Sequence, residues 1–321
     1  MTGLRINTPS RLHFGLLALG PDAPRQFGGV GLMIDQPGIN LTAQVADRWH
    51  AEGPLAERTL RIAERVALGL KQMGLEVPAI RFQIDHAPPE HVGLGVGTQL
   101  GLALAKTMCS LAGLADPPVV TLAGLTGRGL RSGIGLHGFI HGGLIVDGGR
   151  RGPQGVPPLL TRLEFPADWH ALIVVPANDP SLHGPDEVRA FASLSAVPDA
   201  LTDRLCRLVL LGLLPAVLEH DIASFGAALS ELQDHVGLCF STAQGGLYAR
   251  SESEAVVSFL RDAGLHGVGQ SSWGPTLYGF TEADDRSRFD LARQVRSRFD
   301  LAEDQVLWAC ANRQGSRVDP W

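Results

Sequence analysis

The 321-residue sequence predicts an α+β protein in two units. Three observations support this. Alternating apolar segments typical of half-buried strands occupy much of the first half. Segments with helical spacing dominate the second half, interleaved with short apolar runs. Between them, "RRGPQGVPP" at residues 150–158 reads as a surface linker. That linker divides the chain into units spanning 1–152 and 153–321. For the second unit, helices packed on a small antiparallel sheet satisfy the pattern.

The elements follow in order. Leu4 to Leu19 reads as strand material around a polar turn at Thr8–Arg11. "INLTAQVA" alternates and predicts a strand. Leu60, Ala63, Ala67 and Leu70 recur at helical spacing, and Gly74 is a natural stop. "IRFQID" alternates Ile80, Phe82 and Ile84. After Pro88, Pro89 and a glycine loop, a helix runs from Thr98 to about Leu111. It is apolar nearly all round, which predicts a central, buried position. Residues 127–149, "GRGLRSGIGLHGFIHGGLIVDGG", read as a loop, a short strand and a turn. "HALIVVP" opens the second unit as a buried strand. Helices follow at 202–213 and at 221–236, the latter capped by Asp221, and at 252–263, opened by a Ser251/Glu254 capping box. "GVGQSSWGPTLYGF" is a glycine-rich turn entering a strand. A charged helix over 284–298 and the strand "QVLWACA" complete the set.

Net charge is −6, which argues against nucleic-acid binding through general electrostatics. Lysine occurs only at Lys71 and Lys106, so recognition of anions falls to arginine. Cys109, Cys206, Cys239 and Cys310 form no C-x-x-C pair, which fits reduced thiols in a cytoplasmic protein. "LVLLGLLPAVL", the longest apolar run, is too short to span a bilayer, so no membrane partner is expected.

Four stretches carry chemistry. "HVGLGVGTQLG" places Gly93, Gly95 and Gly97 directly before Thr98, Gln99 and the buried helix. A helix N-terminus has unpaired N–H groups and partial positive charge, and glycines let a phosphate approach it. The loop lacks the Walker lysine, and Leu100 stands where a Rossmann loop needs its third glycine. For a lone G-x-G-x-G, tight packing of loop on sheet is the favoured explanation. "TPSRLHFG" alternates Arg11 and His13 along a strand, so both face one side. "RSGIGLHGFIHGG" gathers Arg131, Ser132, His137 and His141. The two histidines are four apart, but flanking glycines oppose a helix and no H-E-x-x-H glutamate is present. "GVGQSSWGPT" offers Gln270, Ser271 and Ser272 to an anion and Trp273 to a ring; a tight turn with a core tryptophan accounts for it equally.

The order of these stretches is more informative than any one of them. "PSRLHFG", then "GLGVGTQ" opening a buried helix, then "GQSSWGPTLYG" resemble the three motifs of the GHMP kinase superfamily. Within it, "SRLHFGLL", "FGGVGLMID", "RSGIGLHGFIHGGLIVDGG" and "LVLLGLLPAVLEHDIASFGAAL" resemble the β-ribofuranosylaminobenzene 5′-phosphate synthase family. The resemblance implies an N-terminal unit like ribosomal protein S5 domain 2, a ferredoxin-like C-terminal unit and a homodimer. It implies phosphoribosyl pyrophosphate and 4-aminobenzoate or 4-hydroxybenzoate as substrates, Mg²⁺ as cofactor, and a place in tetrahydromethanopterin synthesis.

Two departures from the kinase pattern matter. Val96 stands where the kinases usually carry serine, and Gly135 ends a stretch that often ends in a catalytic aspartate. A missing base obstructs phosphoryl transfer to an alcohol, yet is harmless where no alcohol needs deprotonation. An ATP-dependent small-molecule kinase and a non-catalytic sugar-phosphate sensor remain alternatives. For the synthase, the expected roles are as follows. Gly93, Gly95, Gly97, Thr98 and Gln99 meet the pyrophosphate. Arg11, His13 and Arg131 work at the reacting centre. Gln270, Ser271 and Ser272 hold the 5′-phosphate, and Asp35 and Glu187 hold Mg²⁺. Ser132, His137, His141 and Trp273 line the substrate pocket.

Overall fold

The computed structural model describes residues 3–18, 23–129, 131–152, 155–176, 189 and 197–321. Two sheets organise them. The larger has seven strands: β1 (Gly3–Ala18), β2 (Phe27–Val45), β3 (His50–Glu52), β4 (Ile80–His86), β5 (Leu144–Asp147), β6 (Leu159–Leu163) and β11 (Arg317–Pro320). Its main path runs β11-β1-β2-β4-β3, while β5 pairs with β2 and β6 with β5. The smaller sheet is antiparallel, in the order β10 (Val306–Ala309), β7 (His170–Val174), β9 (Leu277–Thr281), β8 (His266–Gln270).

β1 carries the site, and it differs from expectation. No turn interrupts it at Thr8–Arg11. The polar residues are absorbed by register shifts between Thr8 and Ser10 and between His13 and Gly15. Such bulges keep a long strand paired while re-aiming its side chains.

The helices are α1 (Ala56–Gln72), α2 (Val96–Leu111), α3 (Val119–Thr126), α4 (Ile134–His141), α5 (Asp199–Leu208), α6 (Leu214–Glu219), α7 (Ile222–Gln244), α8 (Ser251–Asp262) and α9 (Asp285–Phe299). A π-helical segment, Val209–Leu213, joins α5 to α6. α2 is buried along most of its length, as its all-round apolarity requires. Asp221 caps α7, its carboxylate accepting from the Ser224 amide at 2.9 Å. The expected capping box of α8 does not form: Arg250 occupies the cap position and no side chain caps the end. The glycine-rich stretch at 127–149 also holds more than a loop and strand, because residues 134–141 form α4. Its glycines serve packing. A Cβ on Gly135 would press on Thr98 of α2, and one on Gly138 would overlap Met33 of β2. Small residues therefore let α4 lie against both neighbours, and that gain outweighs glycine's poor helix propensity.

The linker at 150–158 does not separate the sheets. It leads from β5 to β6, its pairing neighbour in the large sheet. The chain crosses to the small sheet after Leu163 and returns at β11, which pairs with β1. One core spans both sheets: Phe14 of β1 lies 6.5 Å from Phe225 of α7 and 5.3 Å from Tyr278 of β9, ring centre to ring centre. Phe225 also contacts Phe165, Trp169 and Phe280. β7 is buried on both faces, with Ala171 and Ile173 in this core and Leu172 and Val174 in a second core under α8 and α9.

Truncating a fully buried aromatic side chain costs about 3–5 kcal/mol. Phe225→Ala is therefore expected to lower the denaturant midpoint markedly, read by urea unfolding. A shift worth under about 1 kcal/mol would show that the rings do not tie the two sheets together.

Candidate active site

A cavity of about 900 Å³ opens where β1, the N-terminus of α2, α7 and the β8–β9 turn meet. Its frame is a set of hydrogen bonds around the Ser271 hydroxyl. Ser271 Oγ accepts from the His13 amide at 3.0 Å and donates to the Gly93 carbonyl at 2.7 Å. The Ser272 amide donates to the His13 carbonyl at 3.1 Å, and the Arg11 amide to the Leu94 carbonyl at 2.9 Å. The strand, the glycine loop and the turn, far apart in sequence, are thus bonded to one another.

Each loop glycine has its own reason. Gly93 has φ 92°, and a Cβ there would overlap the Ser271 carbonyl. Gly95 caps α2 with φ 75°, and its carbonyl receives the Thr98 and Gln99 amides. A Cβ on Gly97 would lie 2.6 Å from Arg58 Nη2 and 3.2 Å from Arg128 Nη2. Packing therefore explains Gly93, helix capping explains Gly95, and the approach of two guanidinium groups explains Gly97.

The lining is strongly cationic. Arg11, Arg58, Arg128, Arg131 and Arg150 face the cavity, with no Asp or Glu among its described lining residues. Arg58 also forms an ion pair with Glu90. Arg11 Nη2 reaches the Gly93 carbonyl at 3.5 Å. Arg150 lies over the Phe27 ring, 5.1 Å from its centre. Burial and then the neighbouring Arg131 charge lower the Arg150 pKa. Cations brought this close, at the positive end of α2, suit a ligand with several negative charges. The lining also has an apolar part: Val236, Phe240, Leu247 and Trp273, with the rings of Phe240 and Trp273 4.6 Å apart.

His13 is buried at the cavity surface. Burial, and then the Arg11 charge, hold its pKa well below the ordinary 6.5. Its Nε2 lies 3.2 Å from Ser132 Oγ, which donates to Asp147 Oδ2 at 3.1 Å. Asp147 is fully buried and also accepts from the Gly133 and Gly149 amides, at 2.8 and 2.9 Å. Burial raises its pKa, against those hydrogen bonds, which lower it.

Of the expected site residues, Arg11, His13, Gly93, Gly95, Gly97, Thr98, Arg131, Ser132, Gln270, Ser272 and Trp273 line the cavity. Gln99 turns away, donating to the Gly135 carbonyl at 3.0 Å. Ser271 and Gln270 bind structure rather than an anion. Gln270 Oε1 accepts from the Ala249 amide at 2.8 Å, and its Nε2 donates to the Ser272 carbonyl at 3.1 Å. His137 Nε2 donates to the Pro157 carbonyl, 2.8 Å away, and His141 is exposed; neither lines the cavity. Asp35 also lies elsewhere, accepting from the Cys310 amide at 2.9 Å where β2 meets the end of β10. Glu187 falls outside the described residues. No group of three or more metal-ligating side chains occurs among the described residues. The arginine-rich lining does not fit Mg²⁺ held by protein carboxylates.

Arg58, Arg128, Arg150, Gln233 and Asp147 were not distinguishable in the sequence. Gln233 clamps the site from α7, its amide donating to the Phe14 carbonyl while Oε1 accepts from the Gln270 amide at 2.8 Å. Nothing in local sequence marks one arginine among many as facing a loop in another element. A buried Asp between apolar and glycine residues, as in "LIVDGG", was the one available signal for Asp147.

A protein from Methanothermobacter thermautotrophicus named beta-ribofuranosylphenol 5′-phosphate synthase is 34% identical over 87% of this chain and 89% of its own length. The chain belongs to that synthase family. A second family member, from Archaeoglobus fulgidus, is 33% identical over 88% of each chain. The GHMP kinases C terminal family model matches residues 213–301. Among solved structures, a homoserine kinase from Cytophaga hutchinsonii aligns with TM-score 0.71 at 17% identity, covering 99% of this chain and 98% of that one. A mevalonate diphosphate decarboxylase from Enterococcus faecalis aligns with TM-score 0.64 at 12% identity, covering 99% of each. The fold of this synthase family member is therefore that of the GHMP kinases, as its motif order implied. No described helix is long and apolar enough to cross a membrane.

Two measurements test the electrostatics. A hydrogen bond to a charged group is worth about 1.5–3 kcal/mol. Arg58→Ala is thus expected to weaken inorganic pyrophosphate binding at least about tenfold by calorimetry, whereas unchanged affinity would remove Arg58 from the site. Separately, the unfolded chain takes up a proton at His13 below about pH 6.5, which the folded chain resists. Stability should then fall on acidification through the window beneath that value. By urea unfolding at about pH 7.5 and about pH 5.5, His13→Asn should lose less stability than the parent. Equal losses would contradict a neutral, buried His13.

Proposed function

We propose that the chain condenses phosphoribosyl pyrophosphate with 4-hydroxybenzoate or 4-aminobenzoate, forming a carbon–carbon bond and releasing CO₂ and pyrophosphate. On this reading it is a decarboxylating pentosyltransferase of tetrahydromethanopterin synthesis. The observation that carries it is a single cavity lined both by five arginines beside a helix N-terminus and by apolar, aromatic side chains. Its volume of about 900 Å³ is large enough for two small substrates together. The relatives' name specifies a ribofuranosylphenol, which favours the hydroxy acceptor.

In the mechanism, pyrophosphate leaves C1 of the ribose as that carbon becomes cationic. The amides at the start of α2, with Arg11, Arg58 and Arg128, meet the departing charge. Preorganised dipoles and cations of this kind cost no reorganisation during reaction. The ring carbon bearing the carboxylate attacks C1, pushed by the para donor. Loss of CO₂ then restores aromaticity. Trp273, Phe240, Val236 and Leu247 offer the acceptor ring an apolar face and keep out water that would capture the cation. Arg131, with Arg150 beside it, is placed to hold the benzoate carboxylate or the 5′-phosphate. Magnesium, if it takes part, would have to arrive with the diphosphate, since the cavity's described side chains offer it no carboxylate. A homodimer is the proposed assembly, on family likeness.

An ATP-dependent kinase is the second reading, and Gly135 counts against it. A side chain there would press on Thr98 at the mouth of the glycine loop, with Cβ already 3.2 Å from Thr98 Cγ2. Incubation with Mg²⁺, phosphoribosyl pyrophosphate and carboxyl-labelled acceptor separates the readings. Labelled CO₂ is expected; a kinase would release none and consume ATP, and a sensor would bind and turn nothing over. Arg11→Ala should lower turnover at least about tenfold, and full activity would take Arg11 out of the reaction.

A further inference from the structure

The Ser132 hydroxyl has three neighbours and only one proton. It lies 3.1 Å from Asp147 Oδ2, 3.2 Å from the Ile134 amide and 3.2 Å from His13 Nε2. The Ile134 amide can only donate. Both Asp147 oxygens already accept from backbone amides, Gly133 on Oδ2 and Gly149 on Oδ1, so the carboxylate is arranged as an acceptor. Ser132 must then give its proton to Asp147 and use its two lone pairs for Ile134 and His13. A hydroxyl that accepts from His13 requires the ring proton on Nε2. The other ring nitrogen, Nδ1, keeps its lone pair.

We propose that Asp147 and Ser132 are positioning residues that commit His13 to the Nε2–H tautomer, making Nδ1 a proton acceptor at the substrate cavity. His13 lines that cavity and Ser132 does too, while Asp147 is fully buried behind them. The site is tightly built: a Cβ on Gly29 would lie 3.3 Å from His13 Nε2 and 3.5 Å from Asp147 Oδ2. Burial and then the Arg11 charge keep the imidazole neutral, so its proton uptake requires the negative charge of a bound diphosphate to offset both. Resting on the synthase reading, the proton that suits Nδ1 is the one on the acceptor's para hydroxyl or amino group. Nδ1 takes it as the ring carbon bonds to C1 of the ribose, and the electron pair left behind drives that attack. When the carboxylate departs as CO₂, its bonding pair returns to the ring and the proton goes back to the para group. No net proton is consumed. Neither Asp147 nor Ser132 needs to touch substrate.

The tautomer is readable without substrate. Long-range ¹H–¹⁵N correlation spectra of the uniformly labelled full chain distinguish the two ring nitrogens, and a His13→Gln variant assigns the His13 signals. The parent should show His13 as Nε2–H. Asp147→Asn places an amide NH₂ opposite either the Gly133 or the Gly149 amide, and facing Ser132 it reverses the hydroxyl; the Nε2–H form should then lose its dominance. Ser132→Ala should do the same without disturbing the backbone contacts of Asp147, so it decides the matter if Asp147→Asn does not fold. Ser132→Thr, which keeps a hydroxyl, should retain the parent tautomer. His13 as Nδ1–H in the parent, or an unchanged tautomer in both Asp147→Asn and Ser132→Ala, overturns the proposal. With substrates, Ser132→Ala should lower kcat about tenfold or more at nearly constant KM for the sugar diphosphate. A tautomer that shifts as stated in a protein that releases no CO₂ would refute the synthase reading and leave the positioning chain standing.

Discussion

The site depends on one hydroxyl. Ser271 Oγ joins the amide of His13 to the carbonyl of Gly93, and so holds a strand and a loop against a turn that comes much later in the chain. Without that bridge, the buried His13 amide would need another partner, at a cost of about 1–3 kcal/mol. Gly93 is shaped for this contact, because any side chain there would strike the Ser271 carbonyl. Gln233 extends the same principle from α7, taking the Phe14 carbonyl and the Gln270 amide. The three sequence motifs are therefore partly a structural lock. Some of their polar residues hold the frame around the cavity that the arginines line.

The electrostatics follow from how that frame is filled. The chain carries a net charge of −6, yet Arg11, Arg58, Arg128, Arg131 and Arg150 converge on one cavity. In a low-dielectric cleft such a cluster is unfavourable alone and strongly favourable around a polyanion. Acidic residues near the site are kept busy or buried: Glu90 pairs with Arg58, and Asp147 is surrounded by amides and Ser132. The same cavity is also lined by Trp273, Phe240 and aliphatic side chains. A cavity lined by both kinds of side chain suits the charged and aromatic substrates of the proposed reaction.

Family membership and fold pull in different directions on chemistry. The solved structures that share the fold are named as kinases and a decarboxylase. The synthase relatives share over a third or nearly a third of their residues with this chain along most of its length. In this chain Gly135 of α4 rests against Thr98 of α2, a contact that a larger residue would force apart. Glycine at this position permits the close packing of α4 against α2.

Period and punctuation in the sequence determined most of the elements: the apolar girth of α2, the alternation of β4, the Asp221 cap and the order of the glycine-rich motifs are local properties that chain chemistry imposes without tertiary help. Those motifs also determined the family and the general place of the site. Tertiary structure alone decided which residues face it. Asp35 and His137 carry suitable atoms but spend them on Cys310 and Pro157, whereas Arg58 and Arg128 have no distinguishing neighbours in sequence and still reach Gly97. Glycine-rich α4 packs closely because its glycines leave room for Met33 and Thr98, and β1 runs unbroken because two register shifts absorb its polar residues. The physical reason is common to all of these. Local propensity acts through neighbours along the chain, but a side chain's role depends on the partners that long-range packing brings within hydrogen-bond reach.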